Sequence, residues 1–125
     1  MRSNSIPFDR LFWHDGVFKS LSIVAPPSRR AMGEVALDVS LFPLQPDALY
    51  PPSSGRPQRA SFRLTFSGVS SIGISCDMAD LFEAHGVGNI DVVWLREVRR
   101  GYRFIMALFG GELAINYRKV RVERS

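Results

Sequence analysis

Apolar and polar residues alternate with a period of two along much of this chain, the spacing that turns one face of a β-strand inward. Val35, Leu37, Val39 and Leu41 interleave with Glu34, Ala36, Asp38 and Ser40, and Pro43 and Pro46 stop the run. Phe62, Leu64 and Phe66 alternate with Ser61, Arg63, Thr65 and Ser67. After a turn near Gly68, Ile72, Ile74 and Cys76 repeat the pattern. Both runs read as strands with one inward face, which makes Cys76 a packed small hydrophobe rather than a nucleophile. Closer to the N-terminus, Ser20-Leu21-Ser22-Ile23 alternates as well and is ended by Pro26-Pro27. Residues 1–18 read as an irregular or briefly helical opening that runs into a turn at His14-Asp15-Gly16, because glycine accepts positive φ at little cost.

The C-terminal half is patterned differently. From Ile90 to Glu97, Val92 and Trp94 alternate with Val93 and Leu95, so both faces of the strand are apolar. Such a strand is expected in the middle of a sheet or covered on both sides. Tyr102–Phe109 and Glu112–Tyr117 flank Gly110-Gly111, a strong hairpin signal. A two-residue loop there sets Leu108 opposite Leu113, Met106 opposite Ile115 and Phe104 opposite Tyr117, all on one apolar face. Val120 and Val122 are out of step with Ile115, which implies a bulge or tight bend after Tyr117.

Between these strand-rich halves the pattern predicts one helix of about two turns. Asp77 caps it, Asp80 adds negative charge to its first turn, Met78, Leu81, Phe82 and His85 share a face, and Gly86 ends it. Residues 43–59 hold Pro43, Pro46, Pro51, Pro52 and Pro57 with Ser53-Ser54-Gly55 and read as a long surface loop, mobile above all at 51–59. The sum is one domain over 1–125, α+β and mostly β: an antiparallel sandwich or open barrel of about six to eight strands with one short helix.

Composition narrows the picture little. At 125 residues with 46% hydrophobic and 22% charged positions, the chain has the means to build one core. The longest apolar run, Phe104 to Phe109, falls far below the ~20 residues that span a bilayer, and nothing at the N-terminus resembles a signal peptide. Cys76 is the one cysteine, which removes intrachain disulfides and thiolate zinc sites and fits a cytoplasmic setting. The net charge is +4, and eight of the sixteen basic residues fall between Arg96 and Arg124. Charge of this size steers acidic partners without specifying one, and reads as a solvated basic surface before it reads as a nucleic-acid site.

Candidate chemistry is sparse. His14-Asp15 resembles part of a metal-binding motif, but His85 is the only other histidine, and neighbouring residues on a strand point different ways. The pair is expected to be structural and metal-free, with Asp15 serving the turn backbone and His14 packing beside Trp13 or a neighbouring strand. No serine sits in a nucleophile elbow, and Gly86-x-Gly88 and Gly110-Gly111 lack the context of a phosphate loop. Asp77, Asp80 and Glu83 read as a solvated helix face. Arg100-Gly101-Tyr102-Arg103-Phe104-Ile105-Met106 partly matches an RNA-recognition strand signature, yet a strand follows where that fold needs a helix. These residues name no catalytic, cofactor-binding or metal-binding position.

The run Phe12-Trp13-His14-Asp15-Gly16 followed by Ser20-Leu21-Ser22-Ile23 resembles the opening of a loose group of small bacterial domains. That group is also similar in its later course: a strand like Phe62 to Val69, a Gly-Gly turn, and a terminal Val-x-Val like Val120-Arg121-Val122. The segment from Pro43 to Pro57 matches no part of that pattern. Many of its members have no assigned function, and some are immunity proteins that neutralise polymorphic toxins. The resemblance implies a non-enzymatic protein whose partner is another protein; no cofactor is expected, the small and dispersed basic excess argues against nucleic acid, and the short apolar runs argue against a membrane. The alternatives are a nucleic-acid-binding β-barrel, using Tyr102, Tyr117 and nearby arginines, and then a small hydrolase.

Overall fold

Eight antiparallel strands carry most of the residues that the structure, a computed structural model, describes: Phe8, 11–26, 32–43, 60–77 and 89–125. They are β1 (Leu11–Val24), β2 (Gly33–Pro43), β3 (Ala60–Val69), β4 (Ser71–Cys76), β5 (Ile90–Val98), β6 (Gly101–Leu108), β7 (Gly111–Tyr117) and β8 (Lys119–Arg124). One sheet has the order β1-β2-β3-β8 and the other β4-β7-β6-β5. The fold is therefore a mostly-β sandwich, and its two sheets do not close into a barrel. The helix expected from Asp77 to Gly86 lies, beyond Asp77, outside the described residues, as does the proline-rich stretch after Pro43. No helix among the described residues is long and apolar enough to cross a membrane.

The two sheets share a bent ribbon. β3 pairs with β8 in one sheet, and its continuation β4 pairs with β7, the strand that leads into β8, in the other. The bend falls at Gly68–Ser70 on one side and Arg118 on the other. Ser70 N–H donates to the Asn116 carbonyl and Arg118 N–H to the Ser67 carbonyl, each at 3.0 Å, so the crossing backbone stays paired. This is the bend that the loss of apolar phase after Tyr117 implies.

Strand alternation becomes burial wherever a strand has neighbours on both sides. Val35, Leu37, Val39 and Leu41 of β2 face Phe62, Leu64 and Phe66 of β3 on the inner side, all of them buried. The second sheet answers with Phe104, Met106, Leu113 and Ile115, each fully buried. Phe104 sits at the middle of the aromatic packing, with ring centroids 5.8 Å from Phe8, 5.6 Å from Trp13 and 5.1 Å from Phe66. Each such side chain contributes about 1.5–3 kcal/mol by leaving water.

Four local expectations are corrected. β1 begins at Leu11, so the chain is extended from there on, and His14-Asp15-Gly16 lies in a bulge inside a strand rather than in a turn before one. Asp15 itself takes the positive φ of 63°, and Gly16 is needed for room, because a Cβ there would run into Leu41. The β6–β7 hairpin turns on Phe109-Gly110, which pairs Leu108 with Gly111, Met106 with Leu113 and Phe104 with Ile115. The apolar face survives because the slip is a whole pleat; Leu108, Met106, Leu113 and Ile115 are all buried on it. Gly111 belongs to the ladder instead, since any side chain there would overlap Cys76 and the Ser75 carbonyl of β4.

The third correction concerns β5, which is an edge strand paired only with β6 rather than a central one. The fourth concerns β4, whose inward face is incompletely covered. Ile72 and Cys76 pack partly buried against the core, whereas Ile74 is 49% exposed. β4 is also an edge strand, with β7 as its one partner in the sheet.

Candidate interaction surface

β5 is held firmly at its beginning. Asn89, 1% exposed, is the buried polar residue at the junction of the two sheets. Its side-chain Oδ1 accepts the Phe18 N–H at 3.0 Å, its own N–H donates to the Gly16 carbonyl at 2.9 Å, and its carbonyl accepts the Phe109 N–H at 3.0 Å. One asparagine thus satisfies the bulged backbone of β1 and the hairpin of β6–β7, polar groups that would be costly to bury unpaired.

His14 adds a second tie. Its Nδ1 lies 3.1 Å from the Asp91 carbonyl, and because a carbonyl only accepts, that nitrogen carries the proton. The Asp91 carboxylate stands 3.6 Å from Nδ1 and the Asp15 carboxylate 3.7 Å from Nε2. The two carboxylates therefore flank opposite nitrogens of one ring and do not converge on a shared ligand position. No group of three or more histidine, cysteine, aspartate or glutamate residues among the described ones could hold a metal ion. His14 joins β1 to β5, a neighbouring strand. His85, Asp80 and Glu83 lie outside the described residues.

Past Val92 the edge of β5 changes character. Trp94 projects from the outer face and is 50% exposed, and Leu95 on the inner side is 43% exposed. Trp94 stands opposite Ile105 and Arg96 opposite Arg103 on β6, so the outer face carries an apolar strip bordered by two arginines. Arg103 Nε donates to Asn116 Oδ1 at 2.8 Å, which lays its guanidinium across the sheet. Like charges directly opposite on neighbouring strands oppose pairing, and no carboxylate among the described residues pairs with either arginine.

Around the end of the strand, Leu95, Arg96, Tyr102 and Arg118 border an open hollow of about 390 Å³ floored by Tyr117. Arg99 and Arg100 line a smaller adjoining hollow of about 220 Å³, which shares Tyr102, Tyr117 and Arg118. The rings of Tyr102 and Tyr117 lie 5.8 Å apart at 31°. Only Tyr102, 44% exposed, offers a ring face to a partner; Tyr117 is 4% exposed, and burial pushes its hydroxyl up to about 12. The two tyrosines that sequence singles out as base-stacking candidates are thus brought together, but as one exposed ring lying over one core residue.

Asn89 was not legible in the sequence, since a single asparagine before a strand reads as loop. Trp94 and Leu95 were legible as apolar on opposite faces, but not as exposed. No family model, curated protein or solved structure matches this chain.

Proposed function

We propose that the chain is a non-enzymatic protein-binding module that works through the free end of β5 and the outer face beside it. The observation that carries this reading is the pair Trp94 and Leu95, exposed on an edge strand and bordered by Arg96 and Arg103. Large apolar side chains ringed by arginine suit the centre of a protein interface, where tryptophan, tyrosine and arginine supply most of the binding energy. An immunity-like role, neutralising a partner by covering it, is the finer form of the same reading and rests on the resemblance of Phe12 to Ile23. Among the described residues, His14 stands between Asp15 and Asp91 with the two carboxylates on opposite ring nitrogens, which sets up no convergent hydrolytic arrangement there.

The test is site-specific photocrosslinking in cells. A photoreactive phenylalanine analogue at position 94, 95 or 102 is expected to give one discrete adduct with another protein. The same group at Ala36 or Thr65, on the outer face of the other sheet, is expected to give none. Adducts of equal yield at all positions, or none at 94 and 95, would remove the reading. So would sub-micromolar binding of single-stranded DNA, RNA or duplex at ~0.15 M salt, where the screening length is about 8 Å.

A further inference from the structure

Resting on the protein-binding reading, we infer that the partner presents an extended acidic segment, which adds to the second sheet as a fifth strand along Val93–Val98. Two independent features carry this. The first is the edge itself. β5 has β6 on one side, its beginning is tied to β1 through Asn89 and the Asp91 carbonyl, and from Val93 to Val98 no described strand pairs with its other side. An open edge of six residues, without proline or lysine, is a template for backbone pairing, and added strands bind in this way.

The second feature is charge. Arg96 and Arg103 face each other on the outer side, Arg99 and Arg100 stand at the turn that ends the strand, and Arg118 borders the hollow beyond. Glu97 is the one acidic residue between Arg96 and Arg103. A segment with carboxylates on alternate residues would set one beside Arg96 on the outer face, on the side away from Arg103, where a charge-assisted hydrogen bond offsets the repulsion between the two arginines. Its intervening apolar residues would cover Leu95 on the inner side. A second copy of this chain is a poorer occupant, because antiparallel pairing of two β5 edges brings the same arginines to both sides of the seam. A single-stranded nucleic acid has the matching charge, but the exposed rings beside these arginines, Trp94 and Tyr102, fall on opposite faces of the sheet, and stacking on them makes no use of the N–H and C=O groups of β5 that no described strand pairs.

The test uses the full chain, isotopically labelled, and amide NMR titration with synthetic octapeptides at ~0.15 M salt, where surface charges are screened beyond about 8 Å. The probe alternates valine and glutamate; its controls alternate valine and lysine, or carry N-methyl groups on alternate residues in either phase. The valine–glutamate peptide is expected to move the amides of Val93 to Val98, with the lysine peptide at least roughly tenfold weaker, a difference of about 1.4 kcal/mol. One methylation phase is expected to abolish the effect and the other to preserve it, since only one phase removes the N–H groups that face β5. Arg96→Glu with Arg103→Glu is expected to reverse the charge preference.

Four outcomes would overturn the inference: no movement in β5, equal binding of the two methylated phases, tighter binding of an oligothymidine of equal charge at the same amides, or dilution of the free protein moving them through self-association. The crosslinking at positions 94 and 95 reads protein binding without regard to partner chemistry. Failure of the peptides with adducts retained removes the acidic strand alone, whereas loss of the adducts removes the reading on which it rests.

Discussion

β2 and β5 use similar apolar residues to opposite ends. In β2, Val35, Leu37, Val39 and Leu41 fall on one face and are fully buried, while Asp38 on the other face accepts hydrogen bonds from Arg63 and Ser20. β2 lies between β1 and β3, so its backbone is paired on both sides. In β5 the apolar residues fall on both faces, and among the described residues the strand is paired on one side, with β6. An alternating strand can satisfy itself with one core. A strand that is apolar on both faces must be covered twice, and at a sheet edge part of that apolar surface stays in water, as Trp94 and Leu95 do here.

The contrast can be broken or sharpened by substitution, beginning with the largest effect. Leu37→Ala in β2 empties a fully packed site and is expected to cost about 2–5 kcal/mol in urea unfolding. A loss under about 1 kcal/mol would mean that β2 is not the centre of this core. Asn89→Ala separates the fixed start of β5 from its free end. It leaves the Phe18 N–H without its acceptor and is expected to cost about 1–3 kcal/mol. Hydrogen exchange should quicken first at Phe18, and unchanged exchange there would show that the junction does not depend on this side chain.

Two titrations probe the surroundings of each strand. Tyr117, beneath the free end of β5, has its hydroxyl pushed from 10.0 up to about 12, by burial first and then by Tyr102. Its raised folded value means that stability is intact below pH 10 and is lost as pH climbs from 10 towards 12, because the unfolded chain releases that proton sooner. Tyr117→Phe should flatten this alkaline limb, and an identical slope in both proteins would count against Tyr117 as its source. On the polar face of β2, the Arg63 hydrogen bond, helped by Ser20 and opposed by partial burial, holds the Asp38 carboxyl below its ordinary 3.8. The folded value is lowered, so its stabilisation is present above pH 3.8 and is lost as pH falls further, through the lowered value. Asp38→Asn is therefore expected to soften the acid limb by a small amount, since Arg63 is exposed.

The smallest effect on stability belongs to the edge. Trp94→Ala and Leu95→Ala are each expected to change unfolding by no more than about 0.5 kcal/mol, because both side chains are about half in water already. Matched against Leu37→Ala, that pair of measurements separates residues kept for folding from residues kept for contact. A loss near that of Leu37→Ala would place Trp94 or Leu95 within the core.

Periodicity by itself determined a good deal of this protein. The inner residues of β2, β3, β6 and β7 could be named in advance, because a strand's side-chain period is two and a buried face must be apolar. The bend after Tyr117 was legible for the same reason, as the phase of Val120 and Val122 cannot continue that of Ile115 along one flat strand. What alternation leaves open is how many neighbours a strand has, since the lateral hydrogen bonds of a sheet come from the backbone and leave no trace in side-chain pattern. Hence β5 read as a central or doubly covered strand, and among the described residues it has β6 as its one strand partner. The hairpin register moved by one pleat for a similar reason: the close approach of β4 at Gly111, a contact with a residue far along the chain, decided which glycine turns and which pairs. Tertiary structure alone brought Asn89 to the bulge at Gly16 and set Arg96 opposite Arg103 beside Trp94, because each of those meetings depends on two strands folding to the same place.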